Sequence, residues 1–351
     1  MHAVFRVDGS AALGGGHVMR CLTLARALTA QGRRCAFAST PASAQTVPSL
    51  AREDLRLIEG GNGEEPETLR RLWPEGTDWL VVDHYERDRT FESRCRGWAH
   101  RILAIDDLAD RVHDCDILVD QTLGRRADDY AGLVPEGCRL LTGAGYALLR
   151  PEFAAIRERS LSQRGERTGL GRVLVNLGAT DAENYSLDVL RAIQESGISV
   201  AVDLVLGAAA PHTDTLQGII AEMPQKVRLH VGVEDMASLM AAADLAIGAA
   251  GTATWERCCL GLPSLVMVIA ENQRRIAEAV VAAGAARLIP GPRPELTGQI
   301  KAALQDLCDD SAALKDLSQD AAQVCDGLGV QRIERSLDAA DLKHDSAARQ
   351  V

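Results

Sequence analysis

The chain has 351 residues, a formal charge of −11, 46% apolar residues, 25% charged residues and only 3% aromatics. This is the balance of an ordinary globular protein with room for two domains, each able to bury a core without a disulfide or metal staple. It argues against nucleic acid, which needs clustered Lys and Arg with stacking rings, and against an anionic membrane surface. A phosphorylated ligand would have to be held by backbone N–H groups and local cations.

Short apolar runs alternate with helical patterns from the first residues. Strands are expected at 3–7, 34–39, 79–83, 101–106, 116–120 and 139–141, with a glycine loop after the first and a helix over 17–30. Strands apolar almost throughout and separated by helices indicate a parallel sheet covered on both faces. Residues 157–171 are rich in Arg, Glu, Ser, Gln and Gly and read as a linker between domains. Alternation then restarts, with strands at 172–177, 200–206, 227–231, 243–248 and 264–270. Helices are expected at 184–195, 214–222, 254–260, 273–283, 295–308 and 312–324. The fold class is therefore α/β, with two doubly wound Rossmann-like domains, 1–156 and 172–342, facing a cleft, and a polar tail over 343–351.

The longest apolar stretch, 264–270, is far short of the ~20 residues that span a bilayer. Arg6 and Asp8 interrupt any signal-peptide core. The nine cysteines are odd in number, contain no C-x-x-C pair and read as reduced thiols of a cytoplasmic protein.

Four motifs sit at expected carboxyl ends of strands. The first is Asp8-Gly9-Ser10 followed by Gly14-Gly15-Gly16-His17. Its glycines allow close approach of backbone to ligand, and a helix opens at His17. It is not a dinucleotide fingerprint, since no acidic strand end follows about 20 residues on. His17 at such a loop suits a general base, and a helix amino terminus disfavours the imidazolium. The plain alternative is a polar helix start without chemistry. The second motif is Gly248 to Glu256, where Gly251, Thr252 and Thr254 suit a pyrophosphate and Glu256 suits the two hydroxyls of a ribose. Glu256 would otherwise only complement a helix dipole. The third is Glu271-Asn272-Gln273, whose amides suit sugar hydroxyl or acetamido groups, or else an N-cap. The fourth is Asp83-His84-Tyr85, where Tyr85 either binds a sugar or packs under the loop.

Other features read as structural. Asp114-Cys115-Asp116 has the spacing of a metal motif but precedes a strand. Asp106-Asp107 and Asp309-Asp310 read as solvated turns. The eight histidines show no H-x-x-x-H pair, so no metal is expected.

Phe5-Arg6-Val7-Asp8, Gly15 to Leu22, Val82-Asp83-His84-Tyr85, Ile105 to Arg111, Tyr146 to Phe153 and Thr254-Trp255-Glu256-Arg257 occur together and in order. In these motifs the chain resembles the UDP-2,4-diacetamido-2,4,6-trideoxy-β-L-altropyranose hydrolases of pseudaminic acid biosynthesis, a likeness that covers roughly residues 2–335. The resemblance implies a GT-B fold and metal-independent hydrolysis of a glycosyl–phosphate bond, with no cofactor. It implies that His17 is the catalytic residue and that the turn from Gly251 to Glu256 contacts the nucleotide. The sequence departs from the family at Ala249, Ala250 and Ala179, where relatives carry more Gly, Thr or Ser. Asp8, Gly15, Gly16, Tyr85, Arg150, Asn272 and Gln273 are the expected sugar-side residues, with Arg150 alternatively a brace for the linker. The expected partner is a small-molecule UDP-sugar, with no nucleic acid and no membrane. A monomer suffices for such a site, and the sequence leaves oligomeric state open. A glycosyltransferase of the same fold and a non-catalytic nucleotide-sugar binder are the competing readings.

Overall fold

The computed structural model describes residues 1–10, 13–59 and 63–348. The first domain runs β1 (His2–Val7), α1 (Gly16–Ala30), β2 (Arg34–Ser39), α2 (Pro41–Thr46), β3 (Leu55–Leu57), α3 (Glu65–Leu72), β4 (Thr77–Asp83), α4 (Arg89–Cys95), β5 (Ala99–Ile105), β6 (Ile117–Asp120) and β7 (Arg139–Thr142). Its sheet has the order β3-β2-β1-β4-β5-β6-β7 with every pairing parallel. The strands are apolar on both faces because both faces are covered. Phe5, Val7, Trp79 and Val81 face α1, and Val4, Leu80, Val82 and Ile102 face the other side, with Leu69 and Phe91 of α3 and α4.

The helix α5 (Pro151–Glu166) leads into the second domain. There follow β8 (Arg172–Asn176), α6 (Tyr185–Ser196), β9 (Ala201–Leu206), α7 (Thr213–Glu222), β10 (Val227–Val231), α8 (Met236–Ala242), β11 (Leu245–Ala249), α9 (Ala253–Cys259), β12 (Ser264–Met267), α10 (Arg274–Ala282), β13 (Arg287–Leu288), α11 (Arg293–Asp309) and α12 (Ser311–Val324). This sheet has the order β10-β9-β8-β11-β12-β13, again parallel. In each sheet the winding direction reverses once, between β1 and β4 and between β8 and β11. A crevice opens at the carboxyl ends of the strands at such a reversal, and ligands of doubly wound sheets bind there.

Two segments differ from the sequence expectation. Residues 157–166, expected within an irregular linker, continue α5. The helix lacks an apolar stripe because part of its docking is through guanidinium groups. Arg164 is buried and donates to the carbonyls of Leu260, Ala243 and Met240 at 2.7, 2.8 and 2.7 Å. Arg167 donates to the Ala241 carbonyl at 2.7 Å. These carbonyls lie at and just beyond the carboxyl ends of α8 and α9, where cations are favourable.

The second difference concerns the last helix, α13 (Gly329–Ala348). Residues up to 342 were expected in the second domain, yet α13 returns to the first. Val330, Ile333 and Leu337 are buried among Phe5, Val7 and Leu22, and Trp79 Nε1 donates to Asp341 Oδ1 at 3.0 Å. The crossing is tight: a Cβ on Gly329 would lie 2.2 Å from the Ala147 carbonyl oxygen, so only glycine fits. The expected polar tail is helical over 343–348, while 349–351 lie outside the described residues.

Ile333→Ala removes a fully buried side chain of the first domain's core. It should lower that domain's stability by about 2–5 kcal/mol. Amide exchange should quicken in β1 and β4 and stay unchanged in β8 and β11.

Candidate active site

The glycine loop after β1 brings His17 to the first turn of α1, at the winding reversal of the first sheet. Asp83 ends β4 and pairs in register with Val7 of β1, which places its carboxylate beside the same loop. His17 Nδ1 lies 2.6 Å from Asp83 Oδ1, and both residues are buried. A lone pair facing a carboxylate at that distance would be repulsive, so we assign the proton to Nδ1. Nε2 is then the basic nitrogen. Arg20, one turn along α1, donates to both Asp83 oxygens at 2.6 Å each. Burial alone would raise the Asp83 pKa, but Arg20 and then His17 hold it well below the usual carboxylate range. The Tyr85 ring meets the His17 ring edge-on, with centroids 4.8 Å apart. An oriented base with its other nitrogen held by a buried carboxylate is the arrangement that activates a hydroxyl or water.

Asp8, expected on the sugar side, is held by neighbouring groups. It accepts from Arg6 Nη2 at 2.8 Å and from the Thr40 amide at 2.8 Å, and His84 Nε2 is 3.2 Å away. Arg6 also grips Glu65, which is shared with Arg87 at 2.6 and 2.8 Å. These groups form a buried ionic lattice that fixes the loops after β1 and β4. Asp8 is therefore engaged in holding the site's floor.

The two domains approach most closely at their reversals. A Cβ on Gly16 would come within 2.7 Å of Thr252 Oγ1, and one on Gly15 within 3.8 Å of the Ala179 Cβ. Larger residues at this glycine loop would hold the domains apart. Asn272 Nδ2 donates to the Tyr85 hydroxyl at 3.0 Å, linking the two expected sugar-side residues across the cleft. That hydroxyl donates to Asp107 at 3.3 Å. Gln273 Nε2 approaches within 3.9 Å of a Cβ built on Gly251, and its Oε1 accepts from the Ile269 amide at 3.2 Å. Arg150 Nη2 donates to Glu256 at 3.3 Å and Nη1 to the Glu234 carbonyl at 2.8 Å. Thr254 is buried, and its hydroxyl accepts from Arg257 at 3.0 Å. The expected residues thus form two facing groups, one around His17 and one around Gly251, Thr252 and Glu256.

Sequence reasoning placed Asp83 in a motif at a strand end but gave it no role, and it assigned none to Arg20 or Glu65. The signal for Asp83 was its position at the end of a strand, but its partner depends on β4 lying beside β1. Asp106, read as a solvated turn, is buried and accepts from Tyr130 and the Ala109 amide at 2.8 Å each. Asp114 and Asp116 are both held by Arg96, at 2.8 and 2.6 Å. A surface hollow lined by Pro74, Gly76, Trp98 and His100 lies at the amino ends of β4 and β5, away from His17.

Two doubly wound domains with their strand reversals opposed define the GT-B fold. Comparison with known proteins agrees. Residues 174–332 match the glycosyltransferase family 28 C-terminal domain. The chain is 27% identical over 241 residues to a UDP-2,4-diacetamido-2,4,6-trideoxy-beta-L-altropyranose hydrolase of Campylobacter jejuni, covering 68% of this chain and 81% of that one. It is 27% identical over 292 residues to the spore coat polysaccharide biosynthesis protein SpsG of Bacillus subtilis, covering 82% and 83%. The crystal structure of Acinetobacter baumannii MurG superposes with a TM-score of 0.64 at 16% identity, covering 95% of this chain and 97% of that one. The likeness carried by the sequence motifs is thus found again over the 241 residues aligned with the Campylobacter jejuni hydrolase.

Glu65 is held down to about 2 by hydrogen bonds from Arg87 and Arg6, against a burial effect that raises it. Its folded pKa is below its ordinary value of 4.5, so its contribution is full above pH 4.5 and is lost as pH falls toward 2. Glu65→Gln removes the carboxylate shared by two buried guanidinium groups and leaves Arg6 with Asp8 alone. It should cost about 3–5 kcal/mol near neutral pH and flatten the acid limb of a urea-denaturation stability profile.

Proposed function

We propose that this protein is an enzyme that hydrolyses the glycosyl–phosphate bond of a UDP-sugar, the substrate being UDP-2,4-diacetamido-2,4,6-trideoxy-β-L-altropyranose. The observation that carries the proposal is the buried Asp83–His17 pair, whose free Nε2 belongs to a loop that abuts Thr252 of the other domain. In this reading His17 Nε2 takes a proton from water as its oxygen attacks the anomeric carbon. The bond from that carbon to the phosphate oxygen breaks, and UDP leaves with the electron pair. Asp83 keeps the Nδ1 proton in place and stabilises the imidazolium that forms. Backbone and hydroxyl groups at Gly251, Thr252 and Thr254 receive the diphosphate, and Glu256 the ribose. Gly15, Gly16, Tyr85, Asn272 and Gln273 shape the sugar pocket, and Arg150 holds Glu256 in place. UDP is a good leaving group, so neither a strong acid opposite His17 nor a metal or cofactor is required. The similarity to the Campylobacter jejuni hydrolase supports the substrate, and free thiols at all nine cysteines support a cytoplasmic location. No helix among the described residues is long and apolar enough to cross a membrane.

The match to a glycosyltransferase domain favours a second reading, in which an acceptor hydroxyl replaces water. Incubation with a panel of UDP-diacetamido-trideoxyhexoses, with EDTA and without acceptor, separates the two. UDP release under these conditions is expected. Release only on addition of an acceptor identifies a transferase, and loss of activity in EDTA contradicts the metal-free step.

His17→Ala should abolish turnover while UDP affinity stays within a few-fold of the parent. Near-native turnover in that variant removes His17 from the mechanism. Asp83→Asn should lower kcat by about 10³-fold with little change in KM, because the imidazole loses the partner that fixes its tautomer.

A further inference from the structure

Arg257 is a buried cation for which the first reading of the site has no use. It lies on α9 and is 2% exposed. Its Nη2 donates to the Ala249 carbonyl at 2.9 Å and to Thr254 Oγ1 at 3.0 Å. Its Nε and Nη1 are buried with no hydrogen-bond partner. Among the described residues no carboxylate forms an ion pair with it, and Glu256, the preceding residue, acts on it only through space. The other deeply buried guanidinium groups near the cleft are compensated, Arg6 by Asp8 and Glu65, and Arg20 by Asp83. Arg164, at the interdomain helix, satisfies its nitrogens on three carbonyls.

The guanidinium occupies a built position. Nη1 sits 2.5 Å from where a Cβ on Gly248 would be, so the absence of a side chain there admits it beneath the strand end. Gly248 to Thr254, the turn that faces Gly16 across the cleft, wraps over it. Burial lowers its pKa to about 10, which leaves it charged at neutral pH. A buried charge without a counter-charge is destabilising, and it persists where a functional state supplies the missing partner. The turn itself carries no charged residue, and Glu256, two residues beyond it, is paired with Arg150.

We propose that Arg257 is the fixed counter-charge for the phosphates of a nucleoside diphosphate bound over the Gly248–Thr254 turn, acting through the turn from beneath and not by direct contact. The inference rests on the nucleotide-binding part of the proposed function. It makes Arg257 a positioning residue whose effect grows with the charge of the ligand and is insensitive to salt, since the group is screened from solvent.

The test is calorimetric titration of the full-length protein, its Arg257→Met variant and its Arg257→Lys variant with UDP, UMP and uridine, alongside thermal melts without ligand. Arg257→Met should weaken UDP at least tenfold, UMP less and uridine under twofold. Its free-state Tm should be unchanged or higher, because an uncompensated charge has been removed. Arg257→Lys keeps the charge and should bind UDP within about threefold of the parent. Equal weakening of all three ligands, unchanged UDP affinity, or a variant that melts lower or fails to fold makes Arg257 a structural brace and overturns the inference. A parent protein that binds neither UDP nor uridine overturns the nucleotide reading itself.

Discussion

The first domain's chemistry depends on one carboxylate. Asp83 ends a strand in a buried position and gathers three donors: His17 Nδ1 and two nitrogens of Arg20. Each donor solves a problem for the others. The guanidinium lowers the cost of keeping the carboxylate ionised out of water. The ionised carboxylate fixes which imidazole nitrogen carries the proton. Helix α1 supplies both His17 and Arg20 from consecutive turns, so the pairing also sets how the helix rotates against the sheet. A single interaction therefore sets the His17 tautomer and the seating of the first crossover helix.

The net charge of −11 acquires a finer meaning beside this arrangement. The acidic excess sits largely on surfaces, while the site is organised by arginines that, Arg257 apart, are paired with carboxylates. Arg6 and Arg87 share Glu65, Arg20 takes Asp83, and Arg150 takes Glu256. Such pairs contribute little net stability when compared with an apolar core, but each is costly to break once formed. Their value lies in holding loops in one geometry. A cleft of this kind presents one small anion with a local environment unlike the protein's average field.

The sequence made the sheets legible because their strands are apolar runs bounded by polar turns, as in Phe5, Val81 and Leu174. It also placed His17, Tyr85, Asn272 and Thr252 at strand ends. Short or exposed elements escaped: β3 has three residues, two of them exposed, and gives no apolar run to see. The start of α5 was marked by Pro151, but its arginine-based docking left no apolar period. The His17–Asp83 pair joins residues far apart in the chain, and only the strand order β1 beside β4 makes them neighbours. Ion-pair partners in general escaped, since Glu65 is an ordinary surface-type residue until two buried arginines surround it.

The return of α13 to the first domain bears on how the molecule is made. Synthesis proceeds from the amino terminus, and domains ordinarily complete their cores as they emerge. Here the first domain lacks Ile333 and Leu337 until nearly the whole chain has been translated. The second domain, synthesised later, has its core complete earlier. The half that carries His17 thus waits as an unfinished partner, and α13, made after both sheets, closes that domain and fastens it to its neighbour in the same step.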